Sequence, residues 1–525
     1  MTLPALRGRL CWPSPGEFHP PGPLGHTPPR VAVIGGGLAG ITAAIALASS
    51  GAQVTLLEAR PRLGGATCSF TRDGLVVDTG QHVFLGCCTA YRGLLARLGM
   101  TAHAPLQPRF DVTVLAPGSS VSHGGTTPLA PRKAGRGGTA PLAPRKAGRG
   151  GTAPLAPRKA RLRRTALPGP LHMLPALARY RFLSLPERAS VSRPALAMRR
   201  LDPADPATDA RRLGDWLAAH GQTERTRRML WDLFTVSALN IAGDDANLAL
   251  AGKVIRTGLL GRNDAADIGV PALPLGELHG DAAATLLAKL GAQVMIGAKA
   301  VAVEAGDGRS GFRVRLAADG EVTADAAVLA VPHEVAARLV PPGALPAGTA
   351  ERWSGLGASP IVNVHVIYDR PVTGLRFAAA VDSPVQWVFD RTRISGFDGP
   401  GQYLAVSLSA AEEFADTPTG KLRERFVPAL AELFPAARAA EVAEFFVTRE
   451  RRATFRQAPG SGALRPKAGT ALPGLVLAGA WTDTGWPDTM EGAVRSGLAA
   501  AIELRRTVPH ASAPVMDAAT MGVRQ

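Results

Sequence analysis

The clearest pattern of apolar and polar positions lies in residues 30–65. Four consecutive apolar residues, Val31 to Ile34, predict a short strand that is buried on both faces. A glycine-rich turn follows, and an apolar stretch then predicts a buried helix that runs to about Ser50. A second strand is predicted over residues 53–57. The order strand, glycine turn, helix and strand predicts a βαβ unit.

The turn of this unit carries Gly35, Gly37 and Gly40 at the spacing Gly-x-Gly-x-x-Gly, which is typical of dinucleotide binding. The first glycine permits the tight turn, the second lets the backbone approach a pyrophosphate, and the third lets the helix pack on the strand. The helix begins near Leu38 and Ala39, so its free N–H groups and positive dipole end would face the phosphates. We therefore predict a dinucleotide site here.

The residues after the second strand narrow the choice of dinucleotide ligand. Glu58 is placed to accept hydrogen bonds from a ribose diol, and its charge would repel the 2′-phosphate of NADP. Ala59 and Arg60 follow it, and a second glycine pair, Gly64 and Gly65, comes shortly afterwards. This continuation resembles the extended fingerprint of FAD proteins in the amine oxidase and phytoene desaturase superfamily. The resemblance implies FAD as the cofactor.

Further segments resemble one family within that superfamily, hydroxysqualene dehydroxylase. They are residues 78–87 (DTGQHVFLGC), 231–240 (WDLFTVSALN), 274–278 (PLGEL) and 481–497 (WTDTGWPDTMEGAVRSG). The resemblance covers roughly residues 30–115 and 165–505, and its most specific region is the last segment. It implies an α/β fold, in which a Rossmann-like FAD-binding domain, discontinuous in sequence, carries an inserted α+β substrate or cap domain.

The family resemblance adds further cofactor contacts to those of the βαβ unit. They lie in the turn after the strand that ends at Asp78, in the strand from residue 300, and around the strand of the C-terminal motif and the helix that is predicted to begin near Thr489 and Met490. The added candidates are Gly80, Gln81, His82, Val301, Gly479 and Met490.

The same reasoning divides the chain into segments. The FAD-binding domain takes three of them (30–116, 271–335 and 471–508), and the helical cap and substrate domain takes two (165–270 and 336–470). The remaining segments are predicted to be disordered, and they are a leader (1–29), a basic repeat insertion (117–164) and a tail (509–525).

The family's reaction is the reductive removal of a hydroxyl group from hydroxysqualene to give squalene, a step of hopanoid biosynthesis. It needs a proton donor, and Asp483 and His82 rank first, ahead of Asp488 and Glu491. The apolar stretches at 171–183 and 228–241 are expected to line a tunnel for the isoprenoid or to dock on a membrane; the core of a helical cap explains them equally well. An electron donor and upstream squalene-pathway synthases are further expected partners.

Charge and cysteines change this picture little. The net charge is +17 (59 basic and 42 acidic residues), but residues 124–164 alone hold eleven Lys and Arg and no acid. They contain three near-identical copies of a 13-residue repeat, which favour a passive insertion over a tether for RNA or membrane. We expect no nucleic-acid partner.

The four cysteines form no CxxC pair, so we expect no metal site and a cytoplasmic location, with peripheral contact to the inner membrane face left open.

Three alternatives remain open at this stage. A carotenoid-precursor desaturase of the phytoene type would carry the same cofactor domain. An amine oxidase would need an aromatic cage for a cation, for which an aromatic content of 5% offers little material. A non-catalytic basic scaffold that binds RNA or membrane is the alternative from another class.

Overall fold

The computed structural model describes residues 28–118, 156–306 and 311–507. The predicted leader (apart from residues 28 and 29), the predicted tail at 509–525 and most of the basic repeat lie outside the described residues.

Helices of the described residues surround two main sheets. Their bounds are α1 (Leu38–Ala48), α2 (Thr89–Arg97), α3 (Leu174–Ala178), α4 (Leu185–Ser190), α5 (Ser192–Met198), α6 (Pro206–Asp209), α7 (Leu213–Ala219), α8 (Glu224–Thr226), α9 (Asp232–Leu239), α10 (Leu248–Gly258), α11 (Ala282–Lys289), α12 (His333–Leu339), α13 (Thr349–Arg352), α14 (Thr419–Leu433) and α15 (Met490–Thr507).

The strands divide among the two main sheets and smaller hairpins. Their bounds are β1 (Arg30–Ile34), β2 (Gln53–Glu58), β3 (Ser69–Arg72), β4 (Leu75–Asp78), β5 (Phe84–Leu85), β6 (Asp111–Ala116), β7 (Arg158–Arg163), β8 (Ile268–Gly269), β9 (Gln293–Ile296), β10 (Ala300–Ala305), β11 (Phe312–Leu316), β12 (Gly320–Ala324), β13 (Ala326–Leu329), β14 (Ser359–Tyr368), β15 (Phe377–Ala380), β16 (Trp387–Asp390), β17 (Gln402–Leu408), β18 (Val442–Thr454) and β19 (Leu475–Leu477).

The first sheet is parallel, with the order β19-β13-β1-β2-β9. Its strands come from three distant regions of the chain, as the discontinuous cofactor domain predicts. Helix α1 has almost no polar face because it is covered on all sides, by the sheet and by α15. The two helices approach so closely at Gly497 that a Cβ there would lie 2.3 Å from the Ala39 carbonyl oxygen.

The second sheet has seven strands in the order β18-β14-β17-β16-β15-β6-β7 and is antiparallel except between β15 and β6. One face packs on α14 through aliphatic residues such as Val362, Val364 and Val366. The other face lies against the helices of the 165–270 segment and belongs to the largest core cluster. The predicted fold class, a Rossmann-like α/β domain with an inserted α+β domain, is confirmed.

Two predicted boundaries need correction. The FAD-binding segment was expected to run to residue 116, but β6 (Asp111–Ala116) pairs with β7 and β15 and so belongs to the substrate sheet. The basic repeat was expected to be disordered to residue 164, but Arg158–Arg163 form the edge strand β7. Ala160 and Leu162 alternate inward with charged residues outward, which is a strand pattern that the repeat's composition concealed.

Candidate active site

Two glycine loops form a cradle at the carboxyl end of β1. The Gly64 N–H donates to the Gly36 carbonyl at 2.8 Å, which holds the second loop against the first. Gly65 has φ +58°, and a Cβ there would lie 2.8 Å from the Gly37 Cα. A Cβ at Gly40 would lie 1.8 Å from the Gly35 carbonyl oxygen, so only glycine fits. The cradle is therefore built from backbone alone, as close contact with a pyrophosphate requires.

The first turn of α1 completes this cradle. Gly37 precedes the helix, and no side chain caps its N–H groups. Leu38 and Ala39 are buried in the first turn and anchor it to the core. Uncapped N–H groups at a helix start are ready donors for phosphate oxygens.

Glu58 lies at the end of β2 and is 8% exposed. Its Oε2 accepts the Gly36 N–H at 2.6 Å, and its Oε1 accepts the Arg60 N–H at 2.8 Å. Each oxygen keeps a second lone pair for a ribose hydroxyl. Glu58 thus also ties the glycine turn to the Ala59–Arg60 loop, a role that the sequence did not indicate.

Val301 reaches the same edge of the sheet from a distant region of the chain. The Gly297 and Ala298 N–H groups donate to the carbonyls of Arg60 and Glu58, which places the β9–β10 connection beside the ribose carboxylate. The pairing of β10 with β11 shifts at Val301, and its side chain is 47% exposed. Such a bulge directs one residue away from the ladder.

The C-terminal motif forms a rigid turn held by Arg465. This buried guanidinium donates to the carbonyls of Trp481, Thr482 and Trp486, at 2.6–3.3 Å, and to that of Ala480. Burial lowers the pKa of Arg465 from its ordinary value. Sequence reasoning missed this residue because nothing local marks an arginine that binds carbonyls more than ten positions downstream.

The strand and helix of the motif meet at Gly479 and Met490. Gly479 has φ +136°, and its N–H donates to the Ser496 hydroxyl of α15 at 2.9 Å. Met490 begins α15, as predicted, and is half-buried. The Trp481 indole donates to the Val331 carbonyl, so the turn is fixed against the end of β13.

The turn of Gly80, Gln81 and His82 follows Asp78, which anchors it. The Asp78 carboxylate accepts the Ser69 hydroxyl at 2.6 Å and the Leu275 N–H at 3.0 Å, and forms a buried ion pair with Arg391. Burial lowers the pKa of His82, and the charge of Asp78 opposes this effect. The lowered pKa favours the neutral imidazole form of His82.

The acidic residues of the C-terminal motif have distinct environments. Asp483, ranked first from sequence, is exposed, and its Oδ1 accepts the Gly485 N–H at 3.2 Å within its own turn. Glu491 is 1% exposed, accepts the N–H groups of Ala90 and Tyr91, and pairs with Arg495. Asp483 therefore lies in a surface turn, and Glu491 caps α2.

Asp488 is the acid whose environment suits proton donation. Its Oδ2 accepts the Phe455 N–H at 2.9 Å, and no described group donates to its Oδ1. Burial raises its pKa to about 6, while the Phe455 N–H and Arg465 oppose the rise. A carboxyl group poised near neutral pH is a typical general acid.

A row of residues crosses the inner face of the seven-stranded sheet. It runs, strand by strand, through Thr448, Asn363, Ser407, Trp387, Ala379, Val114 and Ala160. At one end the Asn363 amide donates to the Thr79 carbonyl, next to the Gly80–His82 turn, and its buried Oδ1 has no donor among the described residues. In the middle, Trp387 stacks with Phe389 and donates to Ser237 of α9.

An apolar cavity of about 310 Å³ lies at the other end of this row. Leu162 of β7 and Phe234 of α9 line it together with residues of α3 and α5. Its lining is almost entirely hydrocarbon, so it suits an uncharged, water-insoluble ligand.

The fold and the glycine cradle define a dinucleotide-binding flavoprotein of the FAD type. The family model for flavin-containing amine oxidoreductases matches residues 38–504, and the chain belongs to this family. It is an FAD-dependent oxidoreductase, as the sequence predicted, and this replaces the hypothesis of a non-catalytic scaffold. The individual contacts of the candidate residues with FAD stay predictions.

Relatives along the whole chain agree with the predicted resemblance. Hydroxysqualene dehydroxylase of Rhodopseudomonas palustris is 28% identical, over 90% of this chain and 97% of its own length. The enzyme of the same name from Sinorhizobium fredii is 26% identical, over 90% and 98%. The 15-cis-phytoene desaturase of Narcissus pseudonarcissus is 24% identical, over 89% and 78%.

Solved structures show the same fold. Putrescine oxidase bound to putrescine matches with a TM-score of 0.64 at 19% identity, over 92% of this chain and 99% of that one. Cyclohexylamine oxidase from Brevibacterium oxydans matches with a TM-score of 0.62 at 17% identity, over 91% and 99%.

Proposed function

We propose that this oxidoreductase acts on a long isoprenoid and removes the hydroxyl group of hydroxysqualene to give squalene, in hopanoid biosynthesis. The observation that carries the proposal is the apolar cavity at the β7 end of the inner row, whose Asn363 end lies next to the Gly80–His82 turn. The names and coverage of the first two relatives support the same substrate.

The route for the substrate follows from the residues of this face. The cavity begins between Leu171, Leu174 and Leu196, whose side chains line it and are also exposed. It passes Leu162 and Phe234. Beyond β6, the strands β15 and β16 carry the ring cluster of Phe377, Trp387 and Phe389. A chain of isoprene units buries its surface along such a wall without any polar partner.

The residues present fit FAD. The Gly35–Gly40 turn and the start of α1 would hold the pyrophosphate, Glu58 the ribose, and the backbone at Val301 the adenine. The Gly479 turn and the start of α15 would hold the flavin end. Bound flavin in its reduced form supplies the hydride for a dehydroxylation.

The chain's own residues must supply a proton and exclude water. Replacement of a C–OH bond by a C–H bond consumes one hydride and one proton and releases one water molecule. Asp488, with its raised pKa, is the residue that we assign as proton donor to the leaving hydroxyl. The hydrogen bonds of Arg465 to the carbonyls of Trp481, Thr482 and Trp486 fix the turn that precedes Asp488.

The test is an anaerobic incubation of the holoenzyme with hydroxysqualene and a chemically reduced flavin pool, followed by gas chromatography and mass spectrometry. We expect squalene, with deuterium at one carbon when the transferred hydride is labelled. Turnover of phytoene-type substrates alone would identify a carotenoid-precursor desaturase instead. Turnover of amines alone would identify an amine oxidase.

A further inference from the structure

Exposed leucines are concentrated in one segment of the described chain. Leu167, Leu171, Leu174, Leu185 and Leu196 are 45–73% exposed and lie within 30 positions of one another. The other large apolar side chains exposed in the described residues, such as Ile296 and Ile502, are scattered over separate elements. A contiguous set of exposed leucines marks an interaction surface.

Part of this leucine face forms the mouth of the apolar cavity. Leu171, Leu174 and Leu196 both line the cavity and reach the surface. They are carried by a 3₁₀ turn at 171–173 and by the short helices α3 and α5. An apolar ligand that leaves the cavity here passes directly between leucine side chains.

The same segment is strongly basic. Residues 156–200 hold eleven Lys and Arg and one acid, Glu187. Arg179, Arg181, Arg193 and Arg200 are exposed among the leucines. The basic residues nearer β7 form ion pairs instead: Arg161 pairs with Asp111, and Arg164 pairs with Asp267. Exposed leucines interleaved with arginines are the pattern of a helix surface that lies in a lipid interface.

We propose that this leucine face, residues 167–200, docks on the surface of an anionic lipid bilayer with the cavity mouth against the acyl chains. None of the helices in the described part of the chain combines the length and the apolar character of a membrane span. A protein partner would need acidic groups matched to these arginines, whereas a bilayer offers both anionic headgroups and hydrocarbon. The inference rests on the proposed function, because an isoprenoid substrate dissolves in the same hydrocarbon.

The test is co-sedimentation of the holoenzyme with substrate-free vesicles of phosphatidylglycerol and phosphatidylcholine, and of phosphatidylcholine alone. We expect binding to the anionic vesicles that weakens about tenfold or more in high salt. Leu167→Ser with Leu185→Ser, two exposed residues that do not line the cavity, should lower binding by about tenfold or more. Arg181→Gln should lower binding to anionic vesicles only. Ile502→Ser and Arg506→Gln, exposed positions on α15, are the matched controls and should bind like the parent enzyme.

Activity assays distinguish a failure of the docking surface from a failure of the proposed function. The leucine variant should lose turnover of hydroxysqualene embedded in vesicles and keep turnover of the same substrate in detergent micelles. Failure of the parent enzyme to bind vesicles, or equal binding by the leucine variant and the Ile502 control, would overturn the docking surface whatever the substrate is. Retention of RNA in place of vesicles, lost in Arg181→Gln, would overturn it as well. Vesicle binding without any turnover of hydroxysqualene would leave the surface standing and reject the proposed substrate.

Discussion

Replacement of Asp488 by asparagine removes the proposed proton donor but keeps the structural hydrogen bond of this side chain. Asn keeps an oxygen that can accept the Phe455 N–H, so the turn before α15 should keep its geometry. It carries no ionisable proton. General acid catalysis contributes about 10²–10⁴-fold to rate, so kcat for hydroxysqualene should fall by at least about 100-fold.

The same substitution should raise the free energy of unfolding at neutral pH, although it lowers the rate. A pKa raised from 3.8 to about 6 corresponds to about 3 kcal/mol of extra cost for the ionised form. Because the native state holds this proton more tightly than the unfolded state, the free energy of unfolding falls as the pH rises from about 4 through about 6. At pH near 7, D488N should therefore be more stable than the parent by up to about 3 kcal/mol, and at pH near 4 by little.

Two measurements check this pair of effects. Urea unfolding of the FAD-loaded protein gives stability across the pH range, and single-turnover kinetics give the rate. For the parent enzyme we expect the rate to fall as the pH rises through about 6. D483N, at the exposed acid five positions earlier, is the matched control and should change neither quantity. A D488N enzyme with the parent rate and pH profile, or a D483N enzyme with the large loss, would refute the assignment.

Three further predictions address the glycine cradle, the hydrogen bonds of Arg465 to the 480–486 turn, and the corrected boundary of the basic repeat. Gly40→Ala should abolish FAD retention, measured by the visible spectrum after gel filtration, because its Cβ would lie 1.8 Å from the Gly35 carbonyl oxygen. Arg465→Lys should lower the free energy of unfolding by about 2–4 kcal/mol in denaturant titration, since an ammonium cannot replace a planar guanidinium that binds several carbonyls. Deletion of residues 124–155 should leave FAD binding and activity unchanged. Deletion of residues 124–161 should impair both, because it removes most of β7. Equal behaviour of the two deletion variants would contradict the structural role of this strand.

The elements that the sequence predicted correctly are those whose signals are local. The strand, turn and helix around Gly35–Gly40 follow from a buried apolar run and fixed glycine spacing, and the observed β1 and α1 agree closely. The start of α15 at Met490 follows from the C-terminal motif in the same way. Each signal depends on residues within about one turn or strand of each other, so the sequence displays it directly.

The predictions that needed correction depend on distant partners. Nothing in the segment 158–163 shows that β6 lies alongside it, so its proline- and arginine-rich surroundings suggested disorder. Asp483 and Asp488 look alike in the sequence, and only the fold shows that Asp483 is exposed while Asp488 is half-buried and accepts the Phe455 N–H. Arg465 became visible as a clamp only when the 480–486 carbonyls were brought around it.

The two faces of the seven-stranded sheet explain how the substrate domain is both stable and hollow. The outer face packs Val362, Val364 and Val366 of β14 against Leu422 and Phe426 of α14, and this aliphatic layer holds the sheet together. The inner face carries Ser407 and Trp387 in its middle, and at its β7 edge the apolar cavity lies beside the cap helices. Because the proposed ligand contacts lie on the inner face and the aliphatic layer against α14 lies on the outer face, substitutions of the inner row should alter substrate choice before they unfold the protein. Trp387→Leu should therefore raise KM for hydroxysqualene several-fold while the urea midpoint moves little, and a collapse of the fold in this variant would contradict the division.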